Sequence, residues 1–382
     1  MRSSRPWPIV LMTRTLDLGG TERQVAEVAR SLDPAYFRPT VVCFDAQGVR
    51  ADELREAGVP VVEFPVRSFA SPRTARISYG FLRWLRKNRV ALVHPFDMPT
   101  VLYGVPMARV ARVPVVLSSQ RGDRRMLDRG QALLGVTDRL ADAVVVNSDY
   151  IRRVLHTTFG VPDERMRTCR NGLDTSVFHA NNRARRGEVN GTAPVVGIVA
   201  ALRSEKSIET LIDACARIRP GALQLLIVGD GPSRASLEQR ARDAGFDGRC
   251  QFVPSTLEVA SWYRSIDVFV LPSTNESFSN SLMEAMACGC AVVASKVGGN
   301  PELVSDGENG LLFEAANAGN LARQLERLLQ DSALRARLSA AAVRTIQSGY
   351  TREHSAEMFS SLYLRLLERT STVVATDPQG AV

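Results

Sequence analysis

Val268-Phe269-Val270-Leu271-Pro272, a short polar loop, and then Glu276-Ser277-Phe278-Ser279-Asn280-Ser281-Leu282-Met283-Glu284 decide the fold. The apolar run has the length and composition of a buried parallel strand, and the residues from Ser279 onward read as the first turns of a helix. In an open α/β sheet, ligands bind at such junctions, at the carboxyl ends of strands. Ser279, Asn280 and Ser281 supply N-cap groups and leave the first backbone N–H groups of the helix facing an anion. Glu276, in the loop, is placed for a polyol in front of the helix, and Glu284, inside the helix, for a second set of hydroxyls. A pocket with phosphates in its middle and hydroxyls at both ends suits a nucleotide-sugar. Taken alone, paired glutamates are more often solvated surface charges. Here they share one block with a strand, a polar loop and a small-residue helix.

Working outward, Val- and Ile-rich runs alternate with helix-length segments along all 382 residues. Strands are expected at Pro8–Met12, Thr40–Phe44, Val61–Phe64, Ala91–His94, Val115–Ser119 and Ala143–Asn147. A second series follows at Val195–Ala200, Leu223–Val228, Gln251–Val253, Val268–Leu271, Ala291–Ala294 and Leu311–Phe313. Alternation of this kind predicts parallel sheets covered on both faces. The fold class is therefore α/β, with two doubly wound, Rossmann-like domains facing a cleft. The expected division is 1–178 for the N-terminal domain, a polar linker at 179–192, and 193–350 for the C-terminal domain. A helix over 351–371 and a flexible tail over 372–382 complete it.

Hydrophobic residues make up 45% and charged residues 23%, an ordinary globular composition. No apolar run is long enough to span a bilayer, and Met1–Pro8 leads into a strand pattern without the features of a signal peptide. Six scattered cysteines without a Cys-x-x-Cys pair, and four dispersed histidines, argue against a disulfide framework or zinc site and for a reducing, cytoplasmic setting. The net charge of +8 suits anionic partners, among which a phosphorylated substrate or an anionic membrane surface ranks above nucleic acid. Phe81-Leu82-Arg83-Trp84-Leu85-Arg86-Lys87-Asn88-Arg89 reads first as a solvated helix face.

Smaller motifs stand after other strands. Gly19 and Gly20 allow a tight turn before a helix, and Arg203 and Lys206 follow Val195–Ala200, where two cations suit a diphosphate. Val228-Gly229-Asp230-Gly231-Pro232 and Val297-Gly298-Gly299-Asn300-Pro301 read as tight connections first and ligand loops second.

Together these residues resemble a family 4 glycosyltransferase of the GT-B superfamily, over nearly the whole chain. The Glu276-x7-Glu284 block followed by Ala285-Met286-Ala287-Cys288-Gly289 is its most specific part, supported by Asn171-Gly172-Leu173-Asp174 and Phe178. The resemblance implies a retaining, metal-independent hexosyltransferase that moves sugar from a nucleoside-diphosphate sugar to a glycan or lipid-linked glycan, in polysaccharide or glycoconjugate biosynthesis. It implies no cofactor, and a cytoplasmic location that extends to the inner face of the membrane. Lys206 is implied to hold the diphosphate, with Arg203 as its partner from a position two residues beyond the family's arginine. Glu276 is implied to touch the transferred sugar and Glu284 the ribose. Phe278, Ser279 and Asn280 present backbone amides, and Gly19 and Gly20 close over the donor. Relatives often return their last helix to the N-terminal domain, which here would use Met358, Leu362 and Leu366 as the apolar stripe.

The sequence departs from the pattern after Val115–Leu117, where many relatives carry an acceptor-facing histidine and this chain reads Ser118-Ser119-Gln120-Arg121-Gly122-Asp123. Gln120, Arg121 and Asp123, with His94 at the end of another strand, are the acceptor-side candidates, although a structural role suits His94 better. Absence of an Asp-x-Asp motif fits a site in which Arg203, Lys206 and helix N-termini take the place of a divalent metal. Two other readings remain open: a GT-B-type epimerase, hydrolase or phosphorylase, and a noncatalytic nucleotide-sugar-binding scaffold.

Overall fold

The computed structural model describes residues 6–69, 71–127, 130–181, 192–219 and 221–376. The chain forms two compact units, one of Met1–Gly172 with Arg352–Val382 and one of Leu173–Thr351.

In unit one the strands are β1 (Trp7–Thr13), β2 (Phe37–Cys43), β3 (Val61–Glu63), β4 (Leu92–Pro95), β5 (Val115–Gln120), β6 (Ala143–Val146) and β7 (Met166–Thr168). They form one parallel sheet in the order β3-β2-β1-β4-β5-β6-β7. The helices between them are α1 (Gly20–Ser31), α2 (Val49–Glu56), α3 (Pro72–Lys87), α4 (Met98–Val110), α5 (Gln131–Leu140) and α6 (Asp149–Phe159). Their starts follow from sequence. Ser71 caps α3, with Pro72 at its first position, and Asp97 with Thr100 makes a reciprocal capping box on α4.

Unit two carries β8 (Val195–Val199), β9 (Gln224–Val228), β10 (Cys250–Val253), β11 (Val268–Leu271), β12 (Ala291–Ser295) and β13 (Leu311–Phe313). Its sheet is parallel, in the order β10-β9-β8-β11-β12-β13. The helices that follow these strands are α7 (Ile208–Ala216), α8 (Arg234–Asp243), α9 (Val259–Ser265), α10 (Asn280–Ala287) and α11 (Asn300–Leu303). Next come α12 (Ala318–Gln330) and α13 (Ser332–Gly349), and α14 (Arg352–Thr376) returns to unit one. The central strands β11 and β12 are buried along their whole length, as expected for sheets covered on both faces.

All twelve expected strands are present within a few residues. Met166–Thr168 was not expected; it is three residues at the sheet edge with no apolar run to reveal it. Unit two begins at Leu173, ahead of the expected boundary, because Leu173 and Phe178 are buried in its core and Leu173 bridges to Thr351. Of the expected linker, residues 182–191 lie outside the described residues.

On unit one, α14 buries Phe359, Leu362, Tyr363 and Leu367 against the sheet, whereas Met358 and Leu366 are only partly buried. The apolar stripe is thus rotated from Met358-Leu362-Leu366 toward the aromatic pair, which covers more surface. Burial of each such side chain contributes about 1.5–3 kcal/mol. The helix continues to Thr376, five residues past the expected end, because no Gly or Pro interrupts it before Pro378. Residues 377–382 lie outside the described residues.

Candidate functional site

In unit two, β9 lies on one side of β8 and β11 on the other, so the strand order reverses between β8 and β11. Loops leaving the carboxyl ends of such strands diverge and open a crevice. Lys206 is carried by the loop after β8 and Glu276 by the loop after β11, and the two form an ion pair between Nζ and Oε1. Both are largely buried, with side-chain exposures of 20% and 10%. Ser273 Oγ donates to the same carboxylate oxygen at 3.0 Å. Backbone ties complete the junction, since Thr274 N donates to Glu205 O at 2.9 Å.

Ser207, next to Lys206, adopts a left-handed backbone with φ of 48°. A non-glycine residue there is strained by about 1 kcal/mol. Its hydroxyl is engaged with Thr210 Oγ1 at 2.8 Å, which anchors the turn that presents Lys206.

Past the Glu276 loop, Ser279 caps α10 by accepting from Leu282 N at 3.3 Å. The N–H groups of a helix's first turn point along its axis and carry its positive dipole end. One turn on, Glu284 is buried, and Tyr263 on α9 donates its hydroxyl to Oε2 at 2.8 Å. The Phe278 ring is tucked inward, 5.8 Å from the ring of Tyr350. Only its backbone is therefore suited to meeting a ligand.

A glycine turn after β12 braces this loop. Gly298 has φ of +58°, and a Cβ there would lie 1.6 Å from Glu276 O. Gly299 N donates to that oxygen at 3.1 Å. Beneath it, Ser295 Oγ donates to Ser273 O at 2.6 Å, and Asn300 Nδ2 to Ser295 O at 3.0 Å. The Gly229 turn plays the same part for the β8 loop, approaching Ala200 O to where a Cβ would stand at 1.9 Å.

Arg203 is exposed and precedes the short helical turn Ser204–Lys206; it forms no ion pair among the described residues. Lys206, Glu276 and Ser273 thus form one cluster, and Glu284 of α10 with Tyr263 of α9 a second. The sequence reading missed Ser273 and Tyr263. A buried serine just after a strand and a tyrosine on a core helix carry no pattern of their own. Among the described residues, no group of three or more His, Cys, Asp or Glu side chains is placed to hold a metal ion.

Gly19 and Gly20 belong to unit one, where Gly19 caps α1 and Gly20 begins it. His94 is fully buried, with Nδ1 2.6 Å from Tyr363 Oη and Nε2 2.7 Å from Ser119 Oγ. Burial, helped by the charge of Arg121, holds its pKa well below the usual imidazole value. Gln120 is buried between Arg124 and Asp138, with Arg124 Nε donating to Oε1 at 3.1 Å. Asp123 caps the turn Arg124–Met126 and binds Arg125 and Tyr150, whose hydroxyl donates at 2.7 Å. Its pKa is lowered by those bonds, chiefly Arg125, against the opposing effect of burial. These three acceptor-side candidates are held by their own unit. Arg121 differs: its guanidinium bonds Asn171 Oδ1 and lies 5.3 Å from the Phe96 ring centroid. Its Nη1 has no hydrogen-bond partner among the described residues, and burial brings its pKa down to about 10.

Two family models match the chain. Residues 18–177 match the one described as Glycosyltransferase Family 4, and residues 181–345 the one described as Glycosyl transferases group 1. A lipopolysaccharide core biosynthesis glycosyltransferase, LpsE of Rhizobium meliloti, is 34% identical over 175 residues, 46% of this chain and 50% of that protein. A D-inositol 3-phosphate glycosyltransferase of Thermomonospora curvata is 31% identical over 69% of this chain and 64% of its own length. The aligned parts therefore span about half to two thirds of these relatives. In fold, the chain is similar to HepE of Anabaena in complex with UDP and glucose, with a TM-score of 0.83, 21% identity, and coverage of 93% of this chain and 98% of that one.

Proposed function

Since the chain belongs to glycosyltransferase family 4 and has the GT-B architecture of two doubly wound α/β units, we propose that it transfers a sugar from a nucleoside-diphosphate sugar to a glycan or lipid-linked glycan. The observation that carries this reading is the Lys206–Glu276 pair across the strand-order reversal of unit two. It sets a cation and an acid side by side at the crevice where a diphosphate and a sugar would meet.

In the reaction, the bond between the anomeric carbon and the diphosphate oxygen breaks, and its electrons stay on the diphosphate. The acceptor hydroxyl oxygen forms the new bond to the anomeric carbon, and its proton passes to the departing diphosphate oxygen. Negative charge grows on the leaving group while positive charge grows on the sugar. A fixed ammonium at Lys206 and the dipole end of α10 stabilise the first more strongly in the transition state than in the ground state. Glu276 faces the second, and Arg203, on the same loop as Lys206, adds positive charge from its exposed position. Glu284, oriented by the Tyr263 hydroxyl, accepts from the ribose hydroxyls. On the acceptor side, Arg121 is the candidate whose guanidinium is not matched by an acid among the described residues.

Retention of anomeric configuration, metal independence, and work in polysaccharide or glycoconjugate synthesis at the cytoplasmic face of a membrane are parts of the same proposal. The lipopolysaccharide-core relative supports a glycan acceptor, and HepE of Anabaena, similar in fold, is known in complex with UDP and glucose; the inositol-phosphate relative is named for a smaller acceptor. No helix among the described residues is long and apolar enough to cross a membrane. The test is thermal shift with UDP, GDP, ADP and CMP, followed by turnover of the matching nucleotide-sugar with and without EDTA. A ligand at about a hundredfold excess over its Kd adds roughly 2.7 kcal/mol. Stabilisation by one nucleotide supports the donor site, and the anomeric proton coupling of the product reports retention. No shift with any of the four overturns the reading.

A further inference from the structure

Between Phe64 and Phe96 the sequence contains seven Lys and Arg residues and no Asp or Glu. Five of them, Arg73, Arg76, Arg83, Arg86 and Lys87, lie on α3, and all five are exposed. Their spacing puts them on one side of the helix, opposite Thr74, Phe81 and Leu85, which are buried. Arg67 and Arg89, exposed as well, extend the charge beyond both helix ends. None of the seven has an ion-pair partner among the described residues, whereas several cations elsewhere do, among them Arg55, Arg109, Arg152 and Arg240.

Two aromatic side chains stand among these cations. Tyr79 is 63% exposed, with the Arg83 guanidinium 5.9 Å from its ring centroid. Phe69 is 54% exposed and stacks on Tyr103, whose hydroxyl bonds Ser78 of α3 at 3.2 Å. At the far end, Arg86 donates to Val110 O at 2.8 Å, and Val110 is 53% exposed. An ordinary solvated helix face mixes both signs of charge and hides its aromatics. This one presents uncompensated guanidinium groups, with apolar and amphipathic tips between them.

We propose that the outer face of α3 is the surface by which this protein docks on a bilayer rich in anionic phospholipid. The arginines would meet lipid phosphates, which guanidinium groups bind bidentately, while Tyr79 and Phe69 enter the headgroup layer. The proposal rests on the lipid-linked acceptor class above: an enzyme held on the bilayer by unit one searches for such an acceptor in two dimensions.

The test compares binding to vesicles of phosphatidylglycerol and phosphatidylcholine in equal parts with binding to phosphatidylcholine alone, at low and high salt. Wild-type protein is expected on the mixed vesicles only, and to leave them as salt rises. The triple variant Arg73→Gln/Arg76→Gln/Arg83→Gln should bind about a hundredfold more weakly, at roughly fivefold per cation lost. A control of equal charge, Arg242→Gln/Arg323→Gln/Arg327→Gln in unit two, should bind as wild type does. Thermal shift by nucleotide is read on the same three proteins. An unaltered shift shows that the α3 variant is folded and keeps the donor site apart from the docking question. Absence of vesicle binding by wild type, or equal losses in both triple variants, overturns the proposal. So does loss of binding to a short DNA duplex in the α3 variant while vesicle binding persists. Vesicle binding through α3 without any nucleotide shift would leave the surface standing and remove the transferase reading.

Discussion

Lys206 Nζ rests on Glu276 Oε1, so the loops after β8 and β11 are joined by one ion pair at the point where the sheet of unit two changes direction. An incoming diphosphate offers Lys206 a second and more highly charged partner. On the proposed reading, the residue that would neutralise the leaving group is already oriented before the donor arrives, which reduces reorganisation during reaction.

Replacing this ammonium gives the first prediction. Lys206→Ala should lower turnover by about a hundred- to a thousandfold, equivalent to roughly 2.7–4 kcal/mol of transition-state stabilisation. Arg203→Ala should lower it less, because Arg203 is exposed and screened by solvent. A nucleotide-release assay at saturating donor checks both. A wild-type rate for Lys206→Ala removes its assigned role.

Glu284 gives the second. Its carboxylate is buried and held by Tyr263 Oη at 2.8 Å, which fixes its orientation on α10. Glu284→Ala should weaken nucleotide binding by about ten- to a hundredfold, the cost of roughly 1.5–3 kcal/mol for hydrogen bonds to a charged group, with less effect on kcat. Tyr263→Phe should weaken it several-fold by loosening the carboxylate. Calorimetric titration reads both, and unchanged affinity in Glu284→Ala would contradict the ribose role.

Gly298→Ala is the third. The added methyl meets Glu276 O at 1.6 Å, and the backbone there has φ of +58°. Strain from φ alone costs about 1–2 kcal/mol, and relief of the clash must push the Glu276 loop away from the turn. Both a lower Tm and weaker nucleotide binding are expected. Gly221→Ala, also at positive φ but with no atom within 4 Å, should lower Tm modestly and leave nucleotide binding intact.

Much of this was legible because buried parallel strands announce themselves as unbroken Val, Ile and Leu runs. Val268–Leu271 and Leu311–Phe313 match to the residue. Met166–Thr168 was not legible, since an edge strand of three residues buries too little to need such a run. The candidate acids and cations were legible as residues, but their pairing was not. Lys206 and Glu276 are 70 positions apart and meet only because β11 pairs with β8. Tyr263 and Ser273 were hidden for the opposite reason: each is buried like a core residue, and only its hydroxyl's partner distinguishes it. Ser207 occupies a left-handed position that glycine fills without strain, and its bond to Thr210 explains how serine is accommodated.

His94 sets the response to acid. In the fold it is neutral, wedged beside Phe96, Phe359 and Tyr363 with both ring nitrogens bonded, and burial holds its pKa well below 6.5. In the unfolded chain it titrates near 6.5. Below that pH the unfolded state binds a proton that the folded state refuses, so stability falls as pH falls and is constant above. The slope contributed by this one group approaches about 1.4 kcal/mol per pH unit. Urea unfolding of wild type at pH values on either side of 6.5 should show that loss on the acid side. His94→Gln should be less stable at neutral pH, because it disturbs the bonds to Tyr363 and Ser119 that tie α14 to the sheet. It should also show a shallower acid slope, since glutamine does not titrate. Equal slopes in the two proteins would mean that His94 takes up its proton within the fold, and that the bonds it makes with Tyr363 and Ser119 survive the charge.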